Sequence, residues 1–118
     1  TTDPNAQLKA LKSYGLVGQY RQNLTLADIE KQIAAGKPVP CGILHKGPVS
    51  SPTGGGHWVL VVGVEGDRLV VNDPAGELDL VNGGYGLGGS GNGVRYSKAN
   101  FQKRWEVDGL GSGWGILF

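Results

Sequence analysis

Apolar and polar positions follow a helical period at the start of the chain and an extended one after Pro40. Asp3 precedes Pro4, which places a capping carboxylate ahead of a proline at the first helical position, and Leu8 and Leu11 then recur at helical spacing until Gly15. A second helix opens at Thr25, where Asp28 stands three residues on to complete a capping box and Leu26, Ile29 and Ile33 form one apolar stripe. Gly36 supplies a left-handed stop and Pro38 prevents continuation. The first third of the chain is therefore expected to hold two short helices.

Beyond Pro40, Cys41 to Leu44 reads as a short strand, and a loop rich in Gly, Pro and Ser runs from His45 to Gly56. The segment HWVLVVGV, His57 to Val64, is apolar at both alternating sets of positions, the pattern of a central strand covered on both faces. Glu65, Gly66 and Asp67 are expected to form a three-residue turn, with Leu69 to Asn72 as the returning strand and Asp73-Pro74 as its stop. NGGYGLGGSGNG, from Asn82 to Gly93, is too rich in glycine to form a packed element of its own and reads as a mobile surface loop. Ser97 caps a short helix, SKANFQKRW, and Trp114 to Phe118 closes the chain as an apolar strand. Helix, helix, strand, hairpin, loop, helix and strand in that order predict an α+β fold, two or three short helices on an antiparallel sheet, in one domain over residues 1–118.

Composition narrows the function classes. A length of 118 residues suits one core and not two. A formal charge of +1 gives no clustered basic excess for phosphates, so nucleic acid is not expected as a partner. No stretch approaches the ~18 apolar residues of a membrane span. Glycine accounts for 22 residues, so much of the chain must be turn and loop, and a single cysteine, Cys41, leaves no intrachain disulfide to form. The single cysteine says little about redox compartment, so secretion is neither supported nor excluded and localisation stays open.

Two side chains stand in a register that suits catalysis. With a three-residue turn at 65–67, Asp73 falls opposite Val59, on the face that also carries His57; diagonal neighbours across an antiparallel pair are ~7–8 Å apart, within reach of an imidazole and a carboxylate. A two-residue turn would shift the register by one and send the pair to opposite faces. The alternative reading is that Asp73-Pro74 only initiates a turn and His57 only begins a strand. Asn72 is the runner-up to Asp73 as the group holding the imidazole, since an amide can also hydrogen-bond it.

GGGHWVLVVGV, then VVNDPAG with its aspartate sixteen residues after the histidine, then YSKANFQKRW before GWGILF, resembles the papain-fold cysteine peptidases of the bacteriocin-processing, double-glycine leader type and their relatives. The resemblance runs from about Leu26 to the C-terminus. It implies a papain-like fold in which His57 is the general base and Asp73 orients it, and a nucleophilic cysteine at a helix N-terminus upstream of residue 1, from this or a separate chain. The chain by itself is then expected to be inactive. The substrate implied is a peptide or peptidoglycan-peptide amide bond, in leader processing, cell-wall lysis or phage-associated cleavage, with no cofactor. The different class of function to weigh against it is a non-catalytic peptide- or cell-wall-binding module on a degenerate peptidase fold.

The other candidates carry less. Pairing of the Cys41 strand through the loop 46–56 is expected to set His45 beside His57 and Cys41 roughly 13 Å further along, too far for a thiolate–imidazole pair. Cys41 is therefore read as a small buried hydrophobe, without the helix N-terminus that lowers a thiol pKa. The same spacing argues against zinc on Cys41, His45, His57 and Asp73. GLGGSGNG lacks the strand, helix and lysine of a phosphate loop. Trp58, Trp105 and Trp114 read as core, Lys103-Arg104 as a solvated face, and Tyr85 and Tyr96 as residues flanking the glycine-rich loop and bordering a groove.

Overall fold

The computed structural model describes residues 3–54 and 56–118. The elements follow as α1 (Pro4–Ser13), β1 (Gln19–Leu24), α2 (Leu26–Ala34), β2 (Val39–Ile43), β3 (His57–Glu65), β4 (Arg68–Asn72), β5 (Val94–Ser97), α3 (Lys98–Trp105) and β6 (Gly113–Leu117). The strands form one antiparallel sheet in the order β1-β6-β2-β3-β4-β5. Among the described residues three helices pack against it, which is the α+β class that the periodicity implies.

The helix ends are where local chemistry places them. Asp3 accepts a hydrogen bond from the Asn5 N–H at 3.0 Å. Thr25 and Asp28 complete the reciprocal box: the Asp28 N–H donates to Thr25 Oγ1 at 3.2 Å and the Thr25 N–H to Asp28 Oδ2 at 2.9 Å. Gly36 follows α2 at φ 76°, a conformation that costs an L side chain strain but not glycine.

Two strands depart from the expectation of helix following helix. β1 lies between α1 and α2, and β5 precedes α3; they form the two edges of the sheet. An edge strand buries little and keeps polar side chains that discourage pairing with other chains, so its sequence lacks an apolar run. In QYRQNL only Leu24 is buried, and in VRYS only Val94 and Tyr96.

One face of the sheet carries the core. Val39, Cys41 and Ile43 of β2, Val59 and Val61 of β3, Leu69 and Val71 of β4 and Tyr96 of β5 are joined there by Ile29 of α2 and by Phe101 and Trp105 of α3. Full burial of such side chains stabilises by about 1.5–3 kcal/mol each before conformational entropy is subtracted. The other face is more thinly covered than the pattern of β3 suggests: Trp58, Leu60 and Trp114 are only half-buried and Val62 is exposed. Leu11 of α1 meets Pro40, Leu60 and Phe118 along an apolar groove of about 340 Å³ on the surface. Of the three tryptophans, Trp105 alone is sealed in the core.

Trp105 fits because β6 has glycine beneath it. A Cβ at Gly113 would collide with the indole, whose Nε1–H donates to the Trp114 carbonyl at 2.7 Å. Gly113→Ala is therefore expected to lower the unfolding free energy by about 1–3 kcal/mol, the usual cost of overpacking a filled core. Urea denaturation measures it, and an unchanged midpoint would show that the indole has room to move.

Candidate active site

The hairpin of β3 and β4 decides which side chains meet. Its turn is shorter than the sequence suggests: Glu65 pairs with Arg68, which leaves Gly66 and Asp67 as a two-residue loop, with Gly66 at φ 59° in the first loop position. Taken alone, that register would send His57 and Asp73 to opposite faces. A bulge corrects it. Gly63 pairs with Val70 but Val61 with Val71, so Val62 is the extra residue, and the register beyond it moves by one to pair Leu60 with Asn72. Asp73 follows on the same side as Val59 and His57, and His57 Nε2 lies 2.8 Å from Asp73 Oδ1.

Asn72 faces the other way, as consecutive strand residues must, and its Oδ1 accepts from the Gly93 N–H at 2.9 Å. An ionised carboxylate only accepts hydrogen bonds, so the proton in the His57–Asp73 contact sits on Nε2. Nδ1 is then the nitrogen left with a lone pair in the neutral ring. The His57 side chain keeps 19 % of its surface exposed, whereas the Asp73 side chain has none.

A carboxylate without solvent needs other donors, and Asp73 has them. Oδ1 also accepts from the Ala75 N–H at 3.0 Å, while Oδ2 accepts from the hydroxyls of Tyr85 and Tyr96, each at 2.8 Å. Burial by itself would raise the carboxyl's affinity for protons. The hydrogen bonds from His57, Ala75, Tyr85 and Tyr96 outweigh it and hold Asp73 below the usual carboxylate range. Both phenols are pushed up, first by burial and then chiefly by the carboxylate that they serve, so they remain donors at neutral pH. Tyr96 is fixed in turn by accepting from the Leu78 N–H at 2.8 Å.

The glycine-rich segment supplies Tyr85 and is anchored to the site at both ends. Gly84 N–H donates to the His45 carbonyl at 2.8 Å, and Asp73 N–H donates to the Gly91 carbonyl at 2.8 Å. A Cβ at Gly91 would overlap the Asp73 carbonyl oxygen, so glycine there permits a backbone approach that no other residue allows. Residues 86–90 between the anchors are exposed. Tyr85 sets its ring edge-on to His57 with centroids 5.6 Å apart.

Arg104 overturns its reading as part of a solvated face. It is fully buried, and its guanidinium donates to the carbonyls of Leu80 at 2.8 Å, Leu44 and Lys46 at 3.1 Å and Gly47 at 2.7 Å. A rigid fork of N–H donors thus ties the loop after β2 to the segment leading to Tyr85. Lys103 beside it stays exposed, because successive residues on a helix point in different directions.

Cys41 lies closer to His57 along the sheet than expected. Ile43, not His45, pairs with His57, and Cys41 pairs with Val59, two positions away rather than four. What removes the thiol from chemistry is burial: it has no exposed surface, and desolvation raises its pKa strongly, so the nucleophilic thiolate is disfavoured. Its Sγ contacts the Val39 carbonyl at 3.6 Å. Among the described residues no group of three or more His, Cys, Asp or Glu side chains is placed to hold a metal ion.

The sequence pointed to His57 and Asp73 but not to the two phenols on the carboxylate or to the buried guanidinium. Position beside the glycine-rich segment was the one signal for Tyr85 and Tyr96, and nothing local marked Arg104 as interior. In comparison with known proteins, a family model described as Peptidase_C39 like family matches residues 2–110. No match was found among curated proteins or among solved structures.

Two outcomes follow from this geometry. Inserting one residue between Val71 and Asn72 should leave the hairpin paired but put Asp73 opposite Trp58, away from His57, and the low-field imidazole proton of a His–carboxylate hydrogen bond should vanish from the NMR spectrum; deleting Val62, which removes the bulge without moving the pairs beyond it, should preserve that proton. Its loss on deleting Val62 would mean that Val62 is not the extra residue of the bulge. The second concerns acid. Asp73 binds protons more weakly folded than at its unfolded value of ~3.9, so its stabilisation is complete above that value and is lost as pH falls through the lower folded one. Tyr96→Phe removes a donor, which should cost about 1.5–3 kcal/mol at pH 7 and move acid unfolding to higher pH. Circular dichroism along an acid titration reads the shift.

Proposed function

The chain belongs to the Peptidase_C39 like family, and on that premise we propose that it contributes the base half of a cysteine peptidase site, with His57 as general base and Asp73 as the group that orients it. The bond attacked is a peptide amide, in a peptide or a peptidoglycan stem. A thiol outside these 118 residues gives its proton to His57 Nδ1, and the thiolate attacks the carbonyl carbon. Asp73 stabilises the imidazolium through Nε2–H without taking the proton, as its four donors and low proton affinity favour. The imidazolium then protonates the departing amine, and His57 activates the water that releases the acyl group and regenerates the thiol.

The observation that carries this reading is the 2.8 Å contact between a part-exposed imidazole and a solvent-free, fully bonded carboxylate. A histidine that served only packing would not need its tautomer fixed in this way. A second reading has one observation in its favour: Cys41, the single cysteine, is sealed in the core, which suits a non-catalytic module that grips peptides on a peptidase fold.

Peptide hydrolysis by the protein expressed from its full reading frame separates the two. Under the peptidase reading, iodoacetamide abolishes cleavage at neutral pH without labelling Cys41, and Asp73→Ala lowers kcat by roughly 10²–10⁴. Under the binding reading, the protein retains peptides without cutting them, and His57→Ala leaves retention unchanged.

A further inference from the structure

Outside the His57–Asp73–tyrosine set, one more side chain reaches the same place. His45, two residues past the end of β2, brings its ring to 5.3 Å from that of His57, with 52° between the planes, and to 6.2 Å from that of Tyr85. Its Nδ1 is buried and has no hydrogen-bond partner among the described residues. Gly54 lies over this edge, where a Cβ would come within 3.5 Å of Nδ1. The backbone around it is held from two sides, since Gly84 N–H donates to its carbonyl and Arg104 to the carbonyls of Leu44 and Lys46 on either side.

The orphan nitrogen separates the two charge states of the ring. Neutral, with its proton on Nε2, His45 buries only an unused lone pair at Nδ1. Protonated, it buries an N–H that nothing accepts, at the full desolvation cost of that donor. We propose that His45 is a positioning residue for His57: an imidazole kept uncharged that, with Tyr85, walls the His57 ring and leaves His57 the one group here that takes up a proton. The proposal rests on reading His57 as the base, but it concerns the histidine pair in the folded chain and needs no turnover to test.

Most of the groups facing His45 act in one direction. Burial, His57, Lys46 from its own loop and Arg104 from α3 all depress its proton affinity below the ordinary histidine value, with Asp73 at the end of β4 opposing them and Tyr85 neutral. A charged His45 would set a second cation beside the His57 imidazolium and disfavour it.

The chain has two histidines, so long-range ¹H–¹⁵N NMR resolves both rings without ambiguity. In the unaltered chain His45 is expected to remain neutral, protonated on Nε2, through the pH at which an ordinary histidine is half-charged, ~6.5. His45→Ala should speed exchange of the His57 Nε2 proton about tenfold by removing the wall, whereas His45→Phe, which keeps a ring, should preserve it. A His45 that titrates at or above ~6.5, or a His57 exchange rate the same in the Ala and Phe variants as in the unaltered chain, overturns the proposal. Loss of hydrolysis in the full reading frame with these titrations intact would instead count against the peptidase reading alone.

Discussion

A carboxylate with no exposed surface must be met by donors or give up its charge, and the arrangement around Asp73 follows from that requirement. One donor comes from each of four places: the start of β3 in His57, the turn after β4 in Ala75, the glycine-rich segment in Tyr85 and edge strand β5 in Tyr96. Each bond is local chemistry, but together they pin three separate stretches of chain to one atom pair. An ionised Asp73 then fixes the tautomer of His57, which is what gives the ring an identifiable basic nitrogen.

Backbone packing makes the convergence possible. Gly91 lets the loop approach the Asp73 carbonyl, and the Arg104 guanidinium gathers the carbonyls of Leu44, Lys46, Gly47 and Leu80, so the walls around His57 are tied to each other as well as to the sheet. An unpaired buried cation is costly unless its donors are used, and these carbonyls use them. Cys41 shows the opposite case. It shares a sheet face with the histidine, yet the core that stabilises β2 also excludes it from the chemistry.

Family membership and geometry bear on different parts of the function. The match over residues 2–110 gives the cysteine-peptidase type of fold, while the 2.8 Å contact sets an imidazole against a buried carboxylate. The hairpin shows how little separates facing side chains from opposed ones: a two-residue turn followed by a one-residue bulge restores the facing that a three-residue turn would have produced.

The sequence by itself determined the helix caps at Asp3, Thr25 and Ser97, the stop at Gly36 and the existence of the β3–β4 hairpin, because these rest on interactions within a few residues or on the two-residue period of a strand; it singled out His57 and Asp73, but their facing rests on a shorter turn and a bulge that no local pattern showed. Edge strands β1 and β5 escaped notice since an edge needs no apolar run. Only the tertiary structure decided that Val62 bulges, that Tyr96, 23 residues from Asp73, caps its carboxylate and that Arg104 is interior. Those features depend on contacts between distant segments, up to 60 residues apart for Arg104 and Leu44, which no local pattern encodes.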